Sequence, residues 1–144
     1  MEGKDLGHRL REDLIHKESH SKMLKNSYEK LSEKSKLFFL AGLFDGEGSF
    51  GIWGKGDNRR TFQCSIEMKD RDILERFEEF FGGAITICKK RKPHWAQTWR
   101  WRLSGARAYE CIDMMIEYMC QRRQEKYNVV QCTKARIKRG NAHL

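Results

Sequence analysis

Apolar side chains recur along this chain with two alternating periods. From Ser32 to Glu47 they fall three and four residues apart, at Leu37, Leu40, Ala41 and Phe44. That spacing predicts a helix, with Ser32 placed to cap it and Gly46 and Gly48 to stop it. The period then drops to two. Ser49 to Lys55 alternates, with Phe50 and Ile52 on one face and Trp53 and Lys55 on the other. After a turn at residues 56–60, Thr61 to Met68 sets Phe62, Cys64 and Ile66 inward and Gln63, Ser65 and Glu67 outward. Helical spacing returns over Asp70 to Phe81, through Ile73, Leu74, Phe77, Phe80 and Phe81, and ends at Gly82-Gly83. A strand over Ala84 to Lys89 points Ile85 and Ile87 inward and Thr86 and Cys88 outward. A basic loop follows, and Gln97 to Leu103 opposes Trp99, Trp101 and Leu103 to Thr98, Arg100 and Arg102. Two helices close the chain, Ala106 to Cys120 and about Gln124 to Arg136, followed by the tail Lys138-Arg139-Gly140.

Read in order, residues 32–144 form one domain of helix, two strands, helix, two strands and two helices. This is an α+β layout, with a four-stranded antiparallel sheet under helices on one face. Residues 1–31 carry Leu6, Leu10 and Leu14 four apart amid closely balanced charges. They read as a charged, weakly amphipathic helical extension with a break near His20-Ser21.

The formal charge of +9 and pI near 9.5 point to a polyanionic partner, nucleic acid before anionic membrane. Nearly all of the excess falls in residues 32–144. No stretch has the length and apolarity of a membrane span, and the first residues do not read as a signal peptide, so an intracellular protein is expected. The 5 cysteines (Cys64, Cys88, Cys111, Cys120, Cys132) are widely spaced, without a Cys-x-x-Cys pair. That argues against a disulfide framework or a zinc site.

The stretch Leu40-Ala41-Gly42-Leu43-Phe44-Asp45-Gly46-Glu47-Gly48 departs from ordinary helix chemistry twice. Gly42 sits inside the helix, where it costs ~1 kcal/mol relative to Ala. Small residues at 41 and 42 allow a second backbone to approach. Asp45 and Glu47 stand at the helix C-terminus, where the dipole favours cations. A divalent metal with oxygen ligands would neutralise them.

These nine residues resemble the LAGLIDADG motif of homing endonucleases, with Phe44 for Ile, Gly46 for Ala and Glu47 for the second Asp. The resemblance implies an αββαββα fold with a saddle-like sheet. With a single motif, it implies a homodimer on a near-palindromic double-stranded DNA site, the two motif helices meeting through Leu40, Ala41, Gly42 and Phe44. It also implies that Glu47, helped by the backbone carbonyl of Gly46, holds Mg²⁺ (or Mn²⁺) for phosphodiester hydrolysis, while Asp45 is structural. The family's basic residue near the site falls on Arg123 or Arg122, either of which serves equally as a phosphate clamp or a surface charge. The family's glutamine at the end of the second strand falls on Met68 or Glu67.

On that fold the outward strand positions, Trp53, Lys55, Gln63, Ser65, Thr86, Thr98, Arg100 and Arg102, would meet the major groove. The loop residues Arg59, Arg60, Lys89, Lys90, Arg91 and Lys92 would meet phosphates. Acids gather instead on the helices, at Glu75, Glu78, Glu79, Glu110, Asp113 and Glu117. The leading expectation is therefore a metal-dependent, site-specific DNA endonuclease. The alternative is a protein of the same fold that does not cut, an intron RNA maturase or a DNA-binding regulator.

Overall fold

The computed structural model describes residues 27–54 and 60–141, with side chains described as far as residue 134. The expected extension therefore lies outside the described residues up to residue 26, as do Lys55, Arg59 and the side chains of the basic tail. By its contacts the chain divides into residues 1–36 and residues 37–144. In the first unit Ser32 caps the helix as expected, its hydroxyl accepting the Ser35 N–H at 3.2 Å.

The first helix, α1, spans Glu33–Glu47 and runs without a turn into β1, Gly48–Trp53. Here the structure corrects an expectation. The helix passes through Gly46, and neither Gly46 nor Gly48 has positive φ. What ends α1 is the start of the strand, with Gly48 buried against Phe44.

There follow β2 (Thr61–Met68), α2 (Arg71–Phe81), β3 (Ala84–Ile87) and β4 (Trp99–Ser104). Then come α3 (Ala106–Met115), a 3-10 turn (Ile116–Tyr118) and α4 (Gln121–Asn141). The expected single helix over residues 106–120 is thus broken at Met115, and the last helix begins earlier. The break has side-chain partners: Gln124 Nε2 donates to the carbonyls of Ile116 and Met119, each at 3.2 Å.

The four strands form one antiparallel sheet in the order β1-β2-β4-β3. Each hairpin is local, and β2 and β4 join the two through pairs such as Ile66↔Trp101 and Ser65↔Arg102. Cross-strand partners share a face, so the register sorts the side chains cleanly. Phe50, Phe62, Cys64, Ile66, Trp101 and Leu103 are buried beneath α2 and α3, with Leu40, Ala41, Phe44, Leu74, Phe77 and Ile112. Trp101 donates its indole N–H to the Gly82 carbonyl at 2.8 Å. Gly83, at φ +93°, lets the backbone pass so close to Arg102 that a Cβ would meet its carbonyl at 2.6 Å.

Alternation misled at one position. Ile87 has the inward parity but is 68% exposed. β3 ends there, before Lys89. Among the described residues no helix is long and apolar enough to cross a membrane.

Candidate functional site

The two acids of the motif part company. Asp45 faces inward: its Oδ1 accepts the Cys120 backbone N–H at 3.1 Å and lies 3.5 Å from Arg123 Nε. That satisfies a backbone donor at the start of α4 and makes Asp45 structural, as expected, although the backbone it holds belongs to a distant segment. Glu47 faces outward and makes no ion pair with a described side chain. It stands at the rim of an open groove of ≈ 460 Å³ floored by the sheet: Ser49, Trp53, Gln63, Ser65, Glu67, Arg100 and Arg102.

The motif helix reaches this position through packing. Phe44 lies under Gly48, and its ring stacks with Phe50, centroids 6.4 Å apart. Leu40, Ala41 and Phe44 are fully buried in the chain's own core. The apolar stripe that marks these three turns them toward the chain's own sheet. Gly42 alone of that set is exposed. With Gly46, one turn on, it has open space where a Cβ would project.

The basic candidates at α4 also separate. Arg123 is 11% exposed at its side chain, donates from Nη2 to the Gly48 carbonyl at 2.6 Å, and lies over the Phe44 and Phe50 rings. Its Nε is buried without a hydrogen bond. Arg122 is exposed. Three residues beyond Arg123, Lys126 donates to the Phe50 carbonyl at 2.6 Å. Burial first, then Arg123 and Arg122, push its ammonium below the usual lysine range. β1 is an edge strand, and the two cations cover carbonyls along it. Lys126 was not anticipated; the signal was its place one turn from Arg123.

On the open face Trp53 is 47% exposed and folds back over Gly51. Gln63, Ser65 and Arg102 project as expected. Thr98 and Arg100 are engaged rather than unpaired: Thr98 Oγ1 donates to Glu67 Oε1 at 2.9 Å, and Arg100 Nη2 lies 2.6 Å from Glu67 Oε2. Thr86, Lys89, Lys90 and Arg91 border a second groove with Thr98, Arg100 and Trp95, and Lys92 lies over the Trp95 ring at 5.5 Å. Arg60 departs from the face and lines an apolar groove with Ile52, Phe62, Tyr109 and Lys134.

The donor chemistry around Glu47 fits a hard divalent cation. The carboxylate is exposed, and the Gly46 carbonyl is among the last four of α1, which lack intrahelical partners. Among the described residues no three His, Cys, Asp or Glu side chains cluster to hold a metal.

A family model described as LAGLIDADG endonuclease matches residues 40–134. The fold is shared with the LAGLIDADG meganuclease I-CpaMI, solved bound to uncleaved DNA. The match has 23% identity and a TM-score of 0.58, over 73% of this chain and 37% of that one. The homing endonuclease I-CvuI, solved in complex with its target, matches at 18% identity and TM-score 0.54, over 71% and 68%. I-LtrWI, a LAGLIDADG homing endonuclease bound to target DNA, matches at 18% and 0.54, over 76% and 39%. The chain thus spans little more than a third of I-CpaMI and I-LtrWI. No curated protein matches by sequence. With its motif at the end of α1, its four-stranded sheet and a family match covering most of its length, the chain belongs to the LAGLIDADG endonuclease family.

Proposed function

We propose that the chain is a site-specific endonuclease for double-stranded DNA that works as a homodimer and uses a divalent cation, Mg²⁺ or Mn²⁺, at Glu47. The observation that carries this reading is the split of the motif's acids. Asp45 is fastened to Cys120 and Arg123, while Glu47 is exposed at the rim of a groove with a polar and basic floor. An acid beside a phosphate-binding surface is unfavourable unless a cation accompanies it. Family membership supports the same chemistry.

The residues of the site divide the work. Gly42 and Gly46 leave room for a second copy's helix, which brings two Glu47 carboxylates together between the two sheets. Gln63, Ser65, Arg100 and Arg102 meet base edges in the major groove, and Lys89 to Lys92 meet phosphates and set the register. Glu47 and the Gly46 carbonyl would hold the cation, which would supply Lewis-acid activation of a water and charge stabilisation at the leaving 3′ oxygen. Arg123 and Asp45 fix the end of α1 from behind, so that Glu47 keeps its place. Arg122, exposed beside them, is the cation available to a scissile phosphate.

The test is selection from a randomised duplex library in Ca²⁺, followed by challenge with Mg²⁺. Cleavage of a near-palindromic site is expected. Sequence-selective binding without cleavage by the wild type would replace this reading with that of a binding protein on the same fold.

A further inference from the structure

The open face of the sheet holds an acid among its cations. Glu67 stands opposite Arg100 in the β2–β4 register, and both of its oxygens are engaged, Oε2 by Arg100 at 2.6 Å and Oε1 by Thr98 at 2.9 Å. Arg100 first, then Thr98, hold the Glu67 carboxyl below the usual carboxylate range, so it is ionised at neutral pH. Side-chain exposures of 40% and 42% place the pair where an ion pair adds little to stability. An ionised acid there also weakens attraction to any duplex. Stability and general affinity therefore leave it unexplained.

Position supplies the explanation. Glu67 and Arg100 border both grooves, the one that begins at Glu47 and the one that ends at the Lys89–Arg91 loop. They stand at the centre of the face. Arg100 has five N–H donors, of which Glu67 takes one. The pair therefore offers donors and an acceptor side by side, in an orientation fixed by Thr98.

A G·C pair offers the complement in the major groove: acceptors O6 and N7 on guanine and the N4 amino donor on cytosine. Building on the DNA reading above, we infer that Arg100 and Glu67 together read one G·C pair in each half-site. Arg100 donates to the guanine and Glu67 accepts from the cytosine. In an A·T pair Glu67 meets the O4 acceptor of thymine and in a C·G pair the acceptors of guanine, so the acid excludes both, while T·A offers Arg100 only the single O4 acceptor in place of guanine O6 and N7. Its ion pair also pre-orients Arg100, which lessens the ordering cost of binding. Glu67 is thus a specificity-determining residue.

The test is the Ca²⁺ selection from a randomised duplex library with wild type, Glu67→Gln, Thr98→Val and Arg100→Lys. The wild type should show one strongly G·C position in each half-site. Glu67→Gln should lower that preference about tenfold at that position alone, the scale of one lost base contact, while raising affinity for unrelated duplex. Arg100→Lys should remove the guanine preference, and Thr98→Val should blunt it without removing a charge. Melting temperatures should match wild type. A selective wild type whose base profile survives Glu67→Gln at every position would overturn the inference and leave the DNA reading standing. The same holds if all positions weaken together. A wild type that selects no sequence would overturn both.

Discussion

The ring of Phe44 occupies the space beside Gly48, where a Cβ would lie 2.5 Å from Cδ2 and 2.6 Å from Cγ. Those atoms belong to the body of a fully buried ring and cannot swing aside. Gly48→Ala should therefore destabilise the fold by about 1–3 kcal/mol, the range for forced overpacking. Urea denaturation gives the figure, and an unchanged midpoint would contradict the packing described.

Gly42 should behave in the opposite way. A Cβ there meets nothing within 4 Å, so Gly42→Ala should stabilise the isolated chain by ~1 kcal/mol through helix propensity alone. Gly42→Leu should keep the fold and weaken self-association, because the bulk enters the space proposed for a second helix. Sedimentation velocity over a concentration series separates the two effects. Retained dimerisation in Gly42→Leu would remove this face from the dimer.

The basic pair at the start of α4 should divide cleanly. Arg123→Ala removes the donor to Gly48 and leaves Asp45 without its ion-pair partner, which should cost about 3 kcal/mol or more. Arg122→Ala should leave stability within about 0.5 kcal/mol, as exposed substitutions do, and lower DNA cleavage or affinity. Asp45→Asn should fall with Arg123→Ala. Thermal melts beside a cleavage assay distinguish the three.

Tyr127 predicts an alkaline effect. Burial first, then its hydrogen bond to Asp113, raise its pKa above the ordinary 10.0. The folded state thus holds the proton longer than the unfolded chain. The resulting stabilisation is complete below pH 10 and is lost as pH rises through the folded value. Tyr127→Phe should be less stable than wild type at pH 8, and the gap should close as pH climbs above 10. A gap constant with pH would contradict this.

Local periodicity carried most of the fold. Alternation placed Phe62, Cys64 and Ile66 opposite Gln63, Ser65 and Glu67, and the structure buries the first three and turns the others toward the open face. It failed at Ile87, because parity does not tell how far the helices reach along a strand. The stripe Leu40, Ala41, Phe44 was legible as apolar, but a stripe does not say whether its partner is the chain's own sheet or another chain. Arg122 and Arg123 are neighbours that point different ways, and only the packing of α4 beside Gly48 decides which is engaged. The pairing of Glu67 with Arg100 depends on the β2–β4 register across 33 residues, which no local pattern contains.

The most direct test of the central claim compares wild type with Glu47→Gln on one selected duplex in Mg²⁺, with melting and binding measured on the same preparations. Glu47, exposed and without an ion pair to a described side chain, should be expendable for folding and indispensable for cutting. Glu47→Gln should show an unchanged melting temperature, retained duplex binding in Ca²⁺ and no cleavage. Cleavage by Glu47→Gln at the wild-type rate would contradict it.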